Sequence, residues 1–149
     1  MANEEIVRRL VDAWDENDTD ELREIYRPDA VDHWGPEGLG STYSGISEIL
    51  EAESGFRRAF PDYSMGLLHA TGDGEFVSQH WMITGTHEGE FMGIPPTGNE
   101  VTYDGMAFHR LENGAIAESW WITNRLRLLR GLDVIASDDE LAEMARSDE

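Results

Sequence analysis

Residues 85–98 read GTHEGEFMGIPPTG, and this stretch decides how the rest of the chain is parsed. Four glycines and two adjacent prolines cannot sit inside a regular helix or a central strand. Glycine loses extra backbone entropy there, and proline lacks the N–H that a ladder needs. The stretch is therefore a shaped loop, and His87, Phe91 and Met92 give it more side-chain content than a spacer needs. Strand-like runs flank it, 76–84 before and 100–111 after, so the loop joins neighbouring strands of one sheet.

Working outward, Asn113-Gly114 is a strong hairpin signal, since both central positions of a type I′ turn need positive φ. If those two residues are the whole turn, Glu112 faces Ala115, Leu111 faces Ile116, His109 faces Glu118, Ala107 faces Trp120 and Tyr103 faces Asn124. Period-two alternation puts the pairs from Leu111–Ile116 onward on one face, with Gly105 and Ile122. The other face then carries Met106, Phe108, Arg110, Ser119, Trp121 and Thr123.

Before the sheet, Ile6, Val7, Leu10, Val11 and Trp14 form one helical stripe with acidic residues in the first turn. Thr19 or Asp20 caps a second short helix that stops at Pro28. A short strand, 30–34, leads into a glycine-rich loop, 35–45. Ser44 or Ser47 caps a third helix with Ile46, Ile49, Leu50, Phe56 and Phe60 inward, ending at Pro61. Strands at 63–70, 75–84, 102–111 and 115–123 follow, then a helix at 125–132 and an acidic tail. This order predicts an α+β fold, a curved and mostly antiparallel sheet wrapped around N-terminal helices, as one domain over 1–149.

The chain has 31 acidic residues against 11 basic, all arginine, and no cysteine, for a formal charge of −20. Such a surface repels nucleic acid phosphates and anionic lipid heads, which argues against both as partners. It also destabilises itself unless salt screens it, which points to a salt-rich, halophilic cytoplasm. Disulfides, thiol catalysis and zinc-thiolate sites are excluded. No run approaches a membrane span, and no signal-peptide core is visible.

The run GTHEGEFMGIPPTG, with Val101, RLENG at 110–114 and Glu118-Ser119-Trp120, resembles the SnoaL-like polyketide cyclase family. The resemblance covers roughly 29–132. It implies the NTF2-like cone, a homodimer, and an intramolecular aldol closure whose general acid/base is an aspartate six residues after the glutamate of E-x-W. Counting from Glu118 gives Asn124, an amide with no proton to exchange near neutral pH. Asn124 can still hydrogen-bond a carbonyl or enolate oxygen, or cap the helix that follows it.

The remaining candidates are His109, oriented by Glu118 as a base, and His33 at a strand end before a loop. As structural alternatives, the first is a surface cross-strand pair and the second a hydrogen-bonding surface group. Trp34, His80, Phe91, Tyr103 and Trp120 are candidate substrate-binding residues, suited to a flat or apolar carbonyl compound, though core packing accounts for Trp120 as well. No spacing suggests a metal, and no motif suggests a cofactor. The sequence therefore predicts cofactor-independent acid/base chemistry or, with the aspartate replaced, a binding module of the same fold.

Overall fold

The computed structural model describes residues 2–34 and 41–147. Helix α1 (Asn3–Glu16) buries Ile6, Val7, Leu10, Val11 and Trp14, and Asn17 ends it in the left-handed region at φ 55°. Its apolar stripe lies on the sheet, so Leu10→Ala there would cost about 2–5 kcal/mol. Helix α2 (Thr19–Ile25) is capped by Asp18, whose side chain accepts from Glu21 N–H at 3.1 Å, rather than by the expected Thr19 or Asp20. Helix α3 (Ile46–Ala59) starts from Gly45 with no side-chain cap, so neither Ser44 nor Ser47 caps it. Gly45 has φ 89°, a value an L side chain rarely adopts.

The strands are β1 (Tyr26–Trp34), β2 (Ser41–Ser44), β3 (Ser64–Asp73), β4 (Phe76–Thr86), β5 (Glu100–Glu112) and β6 (Ala115–Thr123). They form one unclosed sheet in the order β2-β1-β6-β5-β4-β3, antiparallel except for β1 against β6. Helix α4 (Arg125–Gly131) packs on β5. The expected α+β class is observed, with the helices packed against a curved sheet. Strand β2 was not anticipated: its four residues fall in the stretch expected to be loop, and it is held by pairing with β1. The remainder of that loop, 35–40, lies outside the described residues. The acidic tail contains a further helix, α5 (Asp138–Ser147), with no buried residue.

The loop at 85–98 is shaped as its glycines require. Met92 and Gly93 take φ 52° and 77°, closing a tight turn between Phe91 and Ile94. Glu88 and Gly89 donate their N–H groups to Ala59 at the end of α3, and a Cβ on Gly89 would overlap the Arg58 carbonyl. The buried His87 accepts from Thr97 N–H through Nδ1 and lies against Phe60, tying the loop to its own far side.

Asn113 and Gly114 have φ 51° and 79°, as a type I′ turn needs, and Glu112 and Leu111 pair with Ala115 and Ile116 as expected. One residue further the register slips. Ala117 is an extra residue in β6, so Arg110 pairs with Glu118, His109 with Ser119, Phe108 with Trp120 and Ala107 with Trp121. A slip of one residue reverses every side chain beyond it. Ser119 and Trp121 therefore face inward with His109, while Glu118, Trp120 and Ile122 face outward with Met106, Phe108 and Arg110. The expected pairing of His109 with Glu118 does not form.

Candidate functional site

A cavity of about 420 Å³ opens between α1, α3, the sheet and the 85–98 loop. Its wall is aromatic: Trp14, Trp34, Trp81 and Trp121 line it, with Tyr43, Tyr103 and Phe91. Trp34 and Trp121 stack with centroids 5.0 Å apart and planes 3° apart, because β1 and β6 run parallel with these two residues in register. Trp81 lies flat across β5, where Gly105 leaves room; a Cβ there would overlap its ring. The indole N–H groups of Trp81 and Trp121 are buried and have no partner among the described residues.

Two carboxyl groups enter this apolar space. Asp32 is fully buried on the inner face of β1, and neither oxygen has a hydrogen bond among the described residues. Desolvation pushes its pKa up to about 7. The nearby Trp121 and Trp34 indoles favour the ionised form, and the Glu53 charge adds a smaller push upward. Neither indole closes a hydrogen bond to Asp32 among the described residues, so burial wins. Glu53, on α3, is likewise pushed up to about 7 by desolvation, against the lowering effects of Arg57 and Tyr63. Burial raises the Tyr103 and Tyr63 hydroxyls well above their usual range, so both stay protonated as donors.

Of the candidate binding residues, Trp34, Phe91 and Tyr103 line the cavity, whereas His80 and Trp120 do not. His80 is on the outer side of the sheet, with Nε2 2.9 Å from Asp104 Oδ2 and Nδ1 3.1 Å from His69 Nδ1. Trp120 is 37% exposed and stacks on His33. His33 and Glu118 do form a pair, Nε2 to Oε2 at 2.7 Å, but outside the cavity.

His109 is enclosed in the core, edge-on to Trp121, and does not line the cavity. Its Nε2 is 2.7 Å from Gln79 Oε1, and its Nδ1 is 2.6 Å from Ser119 Oγ. An amide oxygen only accepts, so Nε2 donates and Nδ1 accepts from the hydroxyl, which describes a neutral ring. Desolvation pushes its pKa down to about 3. Asn124 caps α4, accepting from Arg127 N–H at 3.3 Å and donating to Asp104 Oδ1 at 2.9 Å; it too is outside the cavity lining.

The sequence reading did not select Asp32 or Glu53 as site residues, although both leave a trace. Asp32 alternates with Ala30 and Trp34 on one face of a strand. Glu53 lies four residues after Ile49 and three before Phe56, on the apolar stripe of its helix. Among the described residues no group of three or more His, Cys, Asp or Glu side chains is placed to hold a metal ion, and no helix is long and apolar enough to cross a membrane.

Solved structures of the same shape are numerous. IdmH of Streptomyces antibioticus, assigned by inference as a polyketide cyclase, is 27% identical over 90% of this chain and 100% of its own, with TM-score 0.79. AclR of Streptomyces galilaeus, assigned by inference as a hydroxylase, is 24% identical over 98% of this chain and 90% of its own, with TM-score 0.80. A SnoaL-like protein of Jannaschia sp. CCS1 is 23% identical over 90% of this chain and 93% of its own, also at 0.80. The latter two likenesses speak to fold alone, and the fold is the NTF2-like cone. Among curated proteins none matches. The family model for SnoaL-like polyketide cyclases matches residues 4–132, and the chain belongs to that family.

Proposed function

We propose that the protein carries out cofactor-independent proton transfer on a small, flat carbonyl compound held in the aromatic cavity, with Asp32 as the acid/base. The observation that carries this reading is a fully buried carboxyl group with no hydrogen-bond partner among the described residues, its pKa pushed up to about 7, in a mostly apolar cavity. A base poised near the working pH can remove a proton beside a carbonyl and return it elsewhere. The N–H groups of Trp81 and Trp121, without a partner among the described residues, are donors available to an enolate oxygen. Glu53 supplies a second carboxyl in the same space. His109, sealed behind Trp121, supports that ring and exchanges no proton with the ligand.

Solvent deuterium exchange at the central carbon of an aryl β-diketone tests this. The wild type should accelerate exchange with a rise centred near pH 7, and Asp32→Asn should lower it about a hundredfold or more. Equal exchange in both proteins would remove Asp32 from the chemistry.

A binding module without catalysis is the second reading. It is favoured by Asn124, which the resemblance sets where the family has its aspartate, and which is engaged as a helix cap. In that case the diketone binds, with Trp fluorescence quenched, but does not exchange. The acidic surface fits a salt-rich cytoplasm in either case.

A further inference from the structure

A second pocket of about 300 Å³ adjoins the main cavity, and Trp14 and Glu53 line both. Its character is different. Asn17 after α1, Thr19 at the start of α2 and Arg57 and Arg58 from α3 bring hydrogen-bond donors to it, while the Ser54 hydroxyl already donates to the Glu51 carbonyl at 2.6 Å. Arg57 is the unusual member. Its guanidinium lies over the Tyr63 ring, 4.5 Å from the centroid, yet Nε and Nη2 are buried with no hydrogen-bond partner among the described residues. The carboxylate beside it, Glu53 Oε1, is 3.8 Å from Nε, an ion-pair distance and too long for a hydrogen bond. Arg58 is held nearby, donating from Nη1 to Ser54 Oγ at 3.3 Å.

Buried donors without acceptors are costly, and a guanidinium fork matches the two oxygens of a carboxylate or phosphate. In a chain with 31 acidic residues against 11 arginines, two arginines at one pocket are a local reversal of sign. We propose that this pocket is an anion subsite, which takes a carboxylate or phosphate carried by the ligand whose flat body fills the main cavity. The ligand is then bipartite, with an apolar carbonyl-bearing body and an acidic tail, and the subsite selects for the tail. This rests on the reading of the main cavity as the ligand site.

Glu53 sits between the two regions and opposes the anion whenever it is ionised. The other charged or titratable groups here are Arg57, Arg58 and Tyr63, with Asp32, Tyr43, Tyr103 and Arg125 on the main cavity; Asn17 after α1 and Thr19 at the start of α2 are neutral. Anion binding should therefore strengthen as pH falls and Glu53 is protonated, and Glu53→Gln should remove that dependence.

The test uses 4-(2-naphthyl)butanoate and its primary amide, in molar salt. Binding is read by Trp fluorescence and by the Nε–H signal of Arg57, which Arg57→Lys identifies by its loss. The acid should bind about tenfold more tightly than the amide in the wild type and equally in Arg57→Met. Arg57→Lys, which keeps the charge but not the fork, should fall between, and serves if the methionine variant does not fold. Equal binding of acid and amide to the wild type, or an unmoved Arg57 signal when the acid binds, overturns the proposal and leaves the main cavity intact. If neither naphthyl compound binds, the main-cavity reading fails, and inorganic phosphate then decides the subsite alone. A phosphate-dependent shift confined to Arg57 and Arg58 supports a free-anion site, and a shift spread over exposed arginines such as Arg8 and Arg23 overturns it.

Discussion

Asp32 on β1 and Glu53 on α3 open into one cavity, and burial pushes each carboxyl up to about 7. The folded chain holds these two protons to near neutral pH, whereas the unfolded chain releases them around the ordinary values of 3.8 and 4.5. The folded state thus binds more protons between about 4 and 7, and stability from this source falls as pH rises through that window. Asp32→Asn should raise the unfolding free energy at pH 8 by roughly 1–3 kcal/mol, the relief of a buried charge less the cost of an unpaired amide. At pH 4 the gain should vanish. Urea unfolding at the two pH values checks this, and a variant less stable than wild type at pH 8 would show that Asp32 has a partner in the folded state.

His109 works in the opposite direction. Its pKa is depressed to about 3 in the folded chain, so stability is lost as pH falls below its ordinary 6.5. An NMR titration should show no protonation of His109 from pH 8 to 4. Ser119→Ala removes the donor to Nδ1 and should cost about 1–3 kcal/mol, the desolvation of a buried group left unpaired. A loss below about 0.5 kcal/mol would mean that the ring finds another partner.

The bulge at Ala117 determines which tryptophan sees the cavity. Because Ala117 is the extra residue, deleting it leaves Glu118 directly after Ile116 and the ladder otherwise unchanged: Arg110 still faces Glu118, His109 still faces Ser119, and Trp121 stays inward. In an unbulged strand the same deletion would carry every later side chain to the opposite face and destabilise the chain by several kcal/mol. The deletion should therefore cost little more than Ala117→Gly. A deletion variant several kcal/mol less stable than Ala117→Gly in chemical unfolding would refute the assigned register.

The bulge also explains what the sequence hid. The loop at 85–98, the type I′ turn, the helical stripe of α1 and the α+β class were all readable, because glycine, proline and apolar spacing act locally. The bulge has no such local signature. Nothing in AESWW marks Ala117 as the extra residue; it is set by the parallel pairing of β1 with β6, which brings Asp32 beside Ser119 and Trp34 beside Trp121. That one-residue slip moved Glu118 and Trp120 to the outer face and detached His109 from its expected carboxylate. Asn124 was legible as a helix cap, and the structure places it as one.

The outer face carries an exposed apolar patch: Met106 at 54%, Phe108 at 43% and Ile122 at 58% exposure, with Trp120 beside them. Monomers rarely leave such patches wet, and a two-fold dimer through this face would cover it. Two chains at −20 repel, however, until salt shortens the screening length to about 3 Å near 1 M. Sedimentation should show a homodimer in molar salt that weakens as salt is withdrawn. A monomer at every salt concentration would contradict this expectation, and Phe108→Glu should abolish any dimer through this face without unfolding the chain.

The central claim is that Asp32 is a buried carboxyl poised to exchange a proton near neutral pH, and its own titration is the most direct test. Carbon-13 NMR of the aspartate side-chain carboxyls, with the Asp32 signal identified by its absence in Asp32→Asn, follows that group alone. The account predicts a single carboxyl titrating with a midpoint near 7, as burial dictates. A midpoint near the ordinary 3.8 would mean that Asp32 is solvated or paired, and the proposed acid/base would be lost.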